Sequence, residues 1–383
     1  MKILILGTGH IGSVIAKDLA ESMPSARIVV ADRDHNRAEE AAARIGKKNV
    51  ASLELDVSNR DNLVNTLKGF DLAIGALPGE IGFQALKACI DAKVNMVDVS
   101  FMPENPLALS EKATKAAVTI VPDCGVAPGL SHMLLMRGVS KLDHVHDAKI
   151  LVGGLPSKPI PPLGYTITWS VEGLIDEYMR KARIIKDGKI TEVEPLATLE
   201  QIELPGVGKL EAFFSDGLRT LLHTVKGVEN LAEKTLRYPG HIEKIRLLRE
   251  MGFFDEKPVQ IDDSSVSPRS VTVKLLEHKL KKPEVHDILA MIVQVDGMKN
   301  GRKIRYSFYL LDHYDERNMV TAMARTTAYT ASCVAQLIAK KSITDKGIIP
   351  PEKLGADEVI FRKLMALLKK RSIRVKESKK ALH

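Results

Sequence analysis

The first 32 residues hold the strongest constraint on the fold. Residues 2–7, KILILG, form a short unbroken apolar run, the pattern of a strand buried on both faces of a parallel sheet. The run leads directly into Gly7-Thr8-Gly9-His10-Ile11-Gly12. A helical pattern follows in SVIAKDLAESM, with apolar Val14, Ile15 and Leu19, and a second apolar run, ARIVVAD, ends at Asp32. Asp32 lies twenty residues after Gly12. A lone Gly-x-Gly-x-x-Gly says little. Between a strand and a helix, with an acid at that distance, it marks a dinucleotide-binding βαβ unit.

Each position has a physical task. Gly7 permits the tight turn, Gly9 lets the backbone approach a pyrophosphate, and Gly12 lets helix and strand pack closely. His10 and Ile11 open the helix, whose N-terminus attracts the phosphate charge. Asp32 can accept hydrogen bonds from the ribose hydroxyls and would repel a 2′-phosphate, which favours NAD over NADP. Arg33 follows directly and is a residue type that accommodates that phosphate, so the preference stays open.

The alternation continues through RAEEAAARIG, VASLELDV, NLVNTLKG, DLAIGALP, GFQALKACIDAK, VNMVDVS, EKATKAA and VTIVPDCG. This predicts an α/β class chain whose first domain is a doubly wound parallel sheet of the Rossmann kind. In such a sheet the ligand lies outside the carboxyl ends of the strands. The expected cofactor contacts there, besides the fingerprint, are Asp56, Val57, Ala76, Leu77, Pro78, Asp98, Ser100 and Gly125.

From about residue 126 the pattern changes. HDAKILVGGLP reads as a strand, SVEGLIDEYM as a helix, and ARIIKDGKITEVEP as a hairpin around Asp187-Gly188. AMIVQVDGMKNGRKIRYSFYLLD reads as two long strands joined near Asn300-Gly301. This predicts an α+β domain built on antiparallel strands. MVTAMARTTAYTASCVAQLIAKK is a helix too apolar for a surface element, and is expected to return to the first domain. The expected domains are therefore 1–125 with 318–383, and 126–317 for substrate binding and dimerisation.

Composition narrows the class. The chain has 383 residues, 45% hydrophobic and 27% charged, as a folded globular protein has. The N-terminal apolar run is too short for a secretion signal, and no stretch is apolar enough to span a membrane. The three cysteines, Cys89, Cys124 and Cys333, are scattered, which fits a reducing cytoplasm, the expected location. Much of the net charge of +8 lies in FRKLMALLKKRSIRVKESKK. Its apolar spacing at Phe361, Leu364, Leu367 and Leu368 reads as a helix with a solvated basic face and a frayed end. With no interleaved aromatics, neither a nucleic-acid nor a membrane partner is expected. His144, His146, His286 and His313 show no metal-ligand spacing with a carboxylate, so no metal is expected.

GTGHIG, PDCGVAPGLSHM, GGLP…PPLGY…WSVEGL, KTLRYPGHIEK and TAMARTTAYTASCVAQLIA together resemble the saccharopine dehydrogenase superfamily, and within it the NAD-dependent L-lysine 6-dehydrogenase group. The resemblance covers nearly the whole chain. It implies a homodimer and oxidation of the ε-amine of L-lysine to 2-aminoadipate 6-semialdehyde with release of ammonia. Saccharopine reductases typically carry an acid where this chain has Ala127 and an aromatic where it has His241. Those departures point to a smaller amino acid; a saccharopine or carboxynorspermidine type of reductase is the alternative.

That chemistry needs a base to neutralise the amine, a cation for the α-carboxylate, and groups to hold the α-amine. Asp123 and His241 are the candidate bases: one stands at the rim of the sheet, the other has a suitable pKa. Each has a plainer role, as a turn acid and as a helix-entry residue. Arg237, beside Tyr238, is the candidate cation, with Arg219 as its competitor. Glu172 and Thr220 are expected to complete the pocket. Cys124 reads as small packing.

Overall fold

The computed structural model describes residues 1–167, 170–282 and 285–382. Trp169, quoted above within WSVEGL, lies outside the described residues. The chain divides into two compact units. The first comprises residues 1–140, 219–224 and 324–374; the second comprises 141–218, 225–323 and 375–383.

The first unit is built on β1 (Lys2–Leu6), β2 (Arg27–Asp32), β3 (Val50–Glu54), β4 (Leu72–Gly75), β5 (Asn95–Asp98) and β6 (Thr119–Val121). A short seventh strand, Gly347–Ile348, which the sequence reading did not include, pairs with β6. The order is Gly347–Ile348, β6, β5, β4, β1, β2, β3, with all pairings parallel. Ile3, Leu4, Ile5 and Leu6 are all fully buried, as the unbroken apolar run required. The strand order reverses between β1 and β4, which places the switch point beside the glycine loop. Helix His35–Ile45 starts on the Asp34 side chain, which accepts from the Arg37 N–H, and stops at Gly46 with φ of 62°.

The second unit carries a nine-stranded sheet and a separate two-stranded hairpin. The long strands His144–Pro156, Asp287–Lys299 and Arg302–His313 lie side by side and antiparallel. Both expected turns have two residues in the left-handed region: Asp187 and Gly188 (φ 49° and 74°), and Asn300 and Gly301 (φ 49° and 72°). These are the angles of two-residue hairpins that match strand twist. The sheet is mixed rather than purely antiparallel, because strand Val228–Arg237 runs parallel to His144–Pro156.

The boundaries differ from 125/126 and 317/318 for physical reasons. Helix Leu130–Val139 stays with the first unit because Gly355 lies against Met133; a Cβ there would be 2.1 Å from the Met133 carbonyl oxygen. Segment 219–224 joins the same unit through Asp123 and Glu352. The basic C-terminus does not fray as one helix: helix Glu358–Lys370 ends, and Lys376–Ala381 forms an edge strand on Arg302–His313. Its side chains stay exposed, and an edge strand lined with lysine resists further pairing.

Candidate functional site: a dinucleotide loop and two buried charge clusters

Packing explains two of the three fingerprint glycines. A Cβ on Gly7, whose φ is 99°, would lie 2.4 Å from the Ala76 carbonyl oxygen; one on Gly12 would lie 2.0 Å from that of Gly7. Gly9 differs, since a Cβ there meets nothing within 4 Å. The protein's own packing does not need Gly9; the space over it is open for a ligand. Helix His10–Ser22 begins at this point with no side-chain cap at Gly9 and no acid in its first turn, a terminus whose dipole suits a phosphate. Ile11 and Leu77 are partly buried near this loop, Ala76 abuts Gly7, and Pro78 opens helix Gly79–Ala92.

Asp32 ends β2. One carboxylate oxygen accepts the Thr8 hydroxyl at 2.6 Å and the Thr8 N–H at 3.2 Å; the other accepts the Asp34 N–H at 3.2 Å. Burial pushes this carboxyl up, but the Thr8 hydroxyl and the two N–H groups outweigh it and hold the group below its usual range. An ionised acid with spare lone pairs suits ribose hydroxyls. Thr8 was not singled out from sequence; its signal was a hydroxyl residue inside the glycine loop. Arg33 is exposed next to Asp32. Asp56, also exposed, accepts the Ser58 hydroxyl at 2.7 Å and its N–H at 2.9 Å, and Val57 is half-buried in that turn.

Three expected cofactor contacts, Asp98, Ser100 and Gly125, are used elsewhere. Asp98 is fully buried and accepts both the hydroxyl and the N–H of Ser100, at 2.9 and 3.0 Å. Gly75 leaves it room, since a Cβ there would lie 2.0 Å from an Asp98 oxygen. Burial pushes the Asp98 carboxyl well up, and the nearby charge of Asp123 adds to this. Gly125 is buried in the turn before helix Leu130–Val139, with its carbonyl accepting from the Leu130 N–H. Neither Asp98 nor Ser100 presents a free polar surface to a ligand.

Asp123 follows β6 with φ of 50°, a conformation that aspartate tolerates better than most residues. Its side chain lies 3.2 Å from Arg219 Nε and is 1% exposed. Arg219 also donates to the Glu104 carbonyl at 3.2 Å, and its guanidinium lies over the Phe101 ring. Burial pushes the Asp123 carboxyl up, while Arg219 and then His132 draw it back; the net direction is upward. Beside this pair, Glu352 accepts the Thr220 hydroxyl at 3.0 Å and that of Thr224, with His132 at 3.6 Å. Thr220 thus serves to anchor its segment. Arg219, the competitor for a substrate carboxylate, is the partner of Asp123.

In the second unit, Arg237 is 2% exposed. It donates to Glu177 at 2.8 Å and to the Leu236 carbonyl, and lies 4.5 Å over the Tyr165 ring. Glu177, five residues after Glu172, is the acid of this helix that meets Arg237; Glu172 is exposed in the helix's first turn. Tyr238 donates to the Pro156 carbonyl at 2.9 Å, which fixes it in the sheet.

His241 has both ring nitrogens committed. Nδ1 lies 2.8 Å from the Leu163 carbonyl, which can only accept, so Nδ1 carries the proton. Nε2 then accepts from the Tyr178 hydroxyl at 2.8 Å. Burial and the Arg237 charge push its pKa down to about 3. A neutral imidazole so engaged is a positioning group; the role of free base expected for it does not suit this geometry.

Arg237 stands directly opposite Glu211 in the antiparallel pairing of strands Gly208–Phe214 and Val228–Arg237. Glu211 is 7% exposed, and one of its oxygens accepts the Gly240 N–H at 3.0 Å. Its other oxygen and Arg237 Nε are buried with no hydrogen-bond partner. Sequence reasoning missed Glu211, which sits in a strand and carries no motif. Among the histidines set aside as metal ligands, His144 and His146 do meet a carboxylate, Glu229, while His286 stacks on Tyr314. No helix among the described residues is long and apolar enough to cross a membrane.

Comparison with known proteins gives the relationship. The model of the saccharopine dehydrogenase NADP binding domain matches residues 3–121, and that of the saccharopine dehydrogenase C-terminal domain matches residues 125–373. The NADP(+), L-glutamate-forming saccharopine dehydrogenase of Pyricularia oryzae is 26% identical over 307 residues, 76% of this chain and 66% of that protein. The alpha-aminoadipic semialdehyde synthase of Arabidopsis thaliana is 28% identical over 231 residues, 56% of this chain and 22% of that protein. The match thus spans less than two thirds of either relative. Carboxyaminopropylagmatine dehydrogenase of Synechocystis is 22% identical over 80% of both chains. The solved apo saccharopine dehydrogenase (L-Glu forming) of Saccharomyces cerevisiae shares the fold, with a TM-score of 0.82 and 20% identity over 99% of this chain and 100% of that one. With both domain models matched in order along nearly its whole length, this chain belongs to the saccharopine dehydrogenase family.

Proposed function

We propose that this chain is an NAD-dependent amino-acid dehydrogenase that oxidises L-lysine at its ε-carbon, releasing ammonia and 2-aminoadipate 6-semialdehyde. The observation that supports it most is the facing pair Glu211 and Arg237, each with a buried polar atom lacking a partner. Such atoms cost about 1–3 kcal/mol each when left unmet. An acceptor and a donor on one sheet face suit the ammonium and carboxylate of an α-amino acid. Asp32 favours NAD, and the open space over Gly9 suits its pyrophosphate. Bound there, the nicotinamide supplies the hydride acceptor.

Asp123 is the base in this reading. Burial pushes its carboxyl up, and Arg219 at 3.2 Å draws it back in favour of the carboxylate, the form that accepts a proton. His241 holds Tyr178, and Tyr178 stands beside Arg237. We carry forward the homodimer as part of the proposal; exposed Leu247, Met251 and Phe253 supply apolar surface for it. Light scattering on the purified protein tests that.

Purified protein with NAD and L-lysine, L-ornithine or saccharopine tests the substrate. NADH formation with lysine, together with ammonia release, supports the proposal. The named relatives favour a second reading, in which saccharopine or a related secondary amine is the substrate. NADH or NADPH formation with saccharopine alone establishes that one and removes lysine.

A further inference from the structure

We propose that His144, His146 and Glu229 form a binding site for one divalent transition-metal ion of the zinc class. His144 and His146 alternate on strand His144–Pro156, so both side chains leave the same face of the sheet. Val228 pairs with Val145 and Asn230 with Asp147 on the neighbouring parallel strand, which brings Glu229 level with His146. Glu229 Oε1 lies 2.8 Å from His144 Nε2 and 3.1 Å from His146 Nδ1. The three ligand atoms all lie within 4.8 Å of one another. Among the described residues this is the only such trio.

The donor set fits this class of ion. Imidazole nitrogens suit zinc, copper and nickel, and a carboxylate adds charge without selecting against them. At bonds of about 2.0–2.1 Å, tetrahedral ligands lie about 3.3 Å apart, so small rotations of the two rings and the carboxylate enclose an ion. The ring centroids are 4.7 Å apart at 80°, so the rings do not stack against each other's faces. The side chains are 37–48% exposed, which leaves an open side for water as a further ligand.

The backbone beneath is held on both sides. Strand His144–Pro156 pairs with Val228–Arg237 and with Asp287–Lys299. The Glu229 carbonyl accepts the Gly188 N–H at 2.8 Å. A metal here would tie two parallel strands together across the sheet. The set includes none of the residues assigned above to cofactor or substrate.

The test uses metal-stripped, untagged protein titrated with zinc chloride by calorimetry, with thermal unfolding followed in parallel. One equivalent per chain and a rise in Tm are expected. His146→Ala should abolish both, and Glu229→Gln should weaken binding about tenfold, about 1.4 kcal/mol. All three side chains are partly exposed, so the variants should match wild-type Tm in chelator, which separates lost ligation from lost folding. No saturable binding by the wild type overturns the proposal. So does the same stoichiometry and affinity in His146→Ala, which would place the ion elsewhere.

Discussion

Asp123 and Arg219, 96 residues apart in sequence, form an ion pair of 3.2 Å with both side chains almost wholly removed from solvent. A buried pair costs desolvation on both sides, and breaking it leaves one charge uncompensated. Arg219→Ala should therefore lower stability by about 3–5 kcal/mol. Here the loss is aggravated because Glu352 adds negative charge around Asp123. The double variant Asp123→Asn/Arg219→Met removes both charges and should recover much of that loss in urea unfolding. Asp123→Asn alone should lower kcat by about a hundredfold or more if Asp123 is the base. A wild-type kcat in that variant would remove it from the chemistry.

The glycine loop allows a sharper separation of folding from binding. Gly12→Ala places a methyl group against the Gly7 carbonyl oxygen, an overpacking that should cost about 1–3 kcal/mol in urea unfolding. Gly9→Ala meets nothing, so its stability should match wild type while cofactor affinity falls. Calorimetric titration with NAD checks this. Unchanged affinity in Gly9→Ala would mean that no ligand approaches the loop there.

Asp32 should decide between the two dinucleotides. Its carboxylate is held ionised by Thr8 and Asp34, and charge-assisted hydrogen bonds contribute about 1.5–3 kcal/mol. Asp32→Ser should raise the KM for NAD about tenfold or more on that scale. The KM for NADP should fall or hold, because the repulsion is gone and Arg33 remains beside the site. Steady-state kinetics with both cofactors measures the ratio. A ratio that does not move would place the preference elsewhere.

The Rossmann unit was legible because each of β1, β2 and β4 is a short apolar run and the glycines punctuate it. The two hairpin turns were legible because Asp-Gly and Asn-Gly are suited to paired positive φ angles. The seventh strand was hidden, being only Gly347 and Ile348. Lys376–Ala381 was hidden because an exposed edge strand has no apolar alternation to read. The charge clusters were only half visible. Asp123, Arg237 and His241 stood in motifs, but Arg219, the partner of Asp123, was weighed only as a competitor to Arg237, and Glu352, Glu177 and Tyr178 come from other elements. The acid chosen on helix Val171–Met179 was Glu172, at its exposed start; the helix periodicity carries Glu177 to Arg237 instead. Pairings of this kind depend on register and packing, which residue types alone do not reveal.

His241 gives the clearest pH dependence. Its imidazole is neutral, hydrogen-bonded at both nitrogens and nearly inaccessible, with its pKa pushed from the usual value down to about 3. Below the ordinary histidine pKa the unfolded chain takes up a proton that the folded chain does not. The stability held by the neutral ring is therefore complete above the unfolded pKa and drains away as pH falls towards the folded one. Between about pH 6.5 and about pH 4.5, this one group should remove about 2–3 kcal/mol. His241→Gln lacks a group that titrates in this window, so its stability, though lower at neutral pH, should fall less over that interval. Urea unfolding of both proteins at the two pH values measures the difference in slope. Parallel losses in wild type and variant would mean that His241 is protonated in the fold, and that the Leu163 and Tyr178 contacts do not hold it neutral.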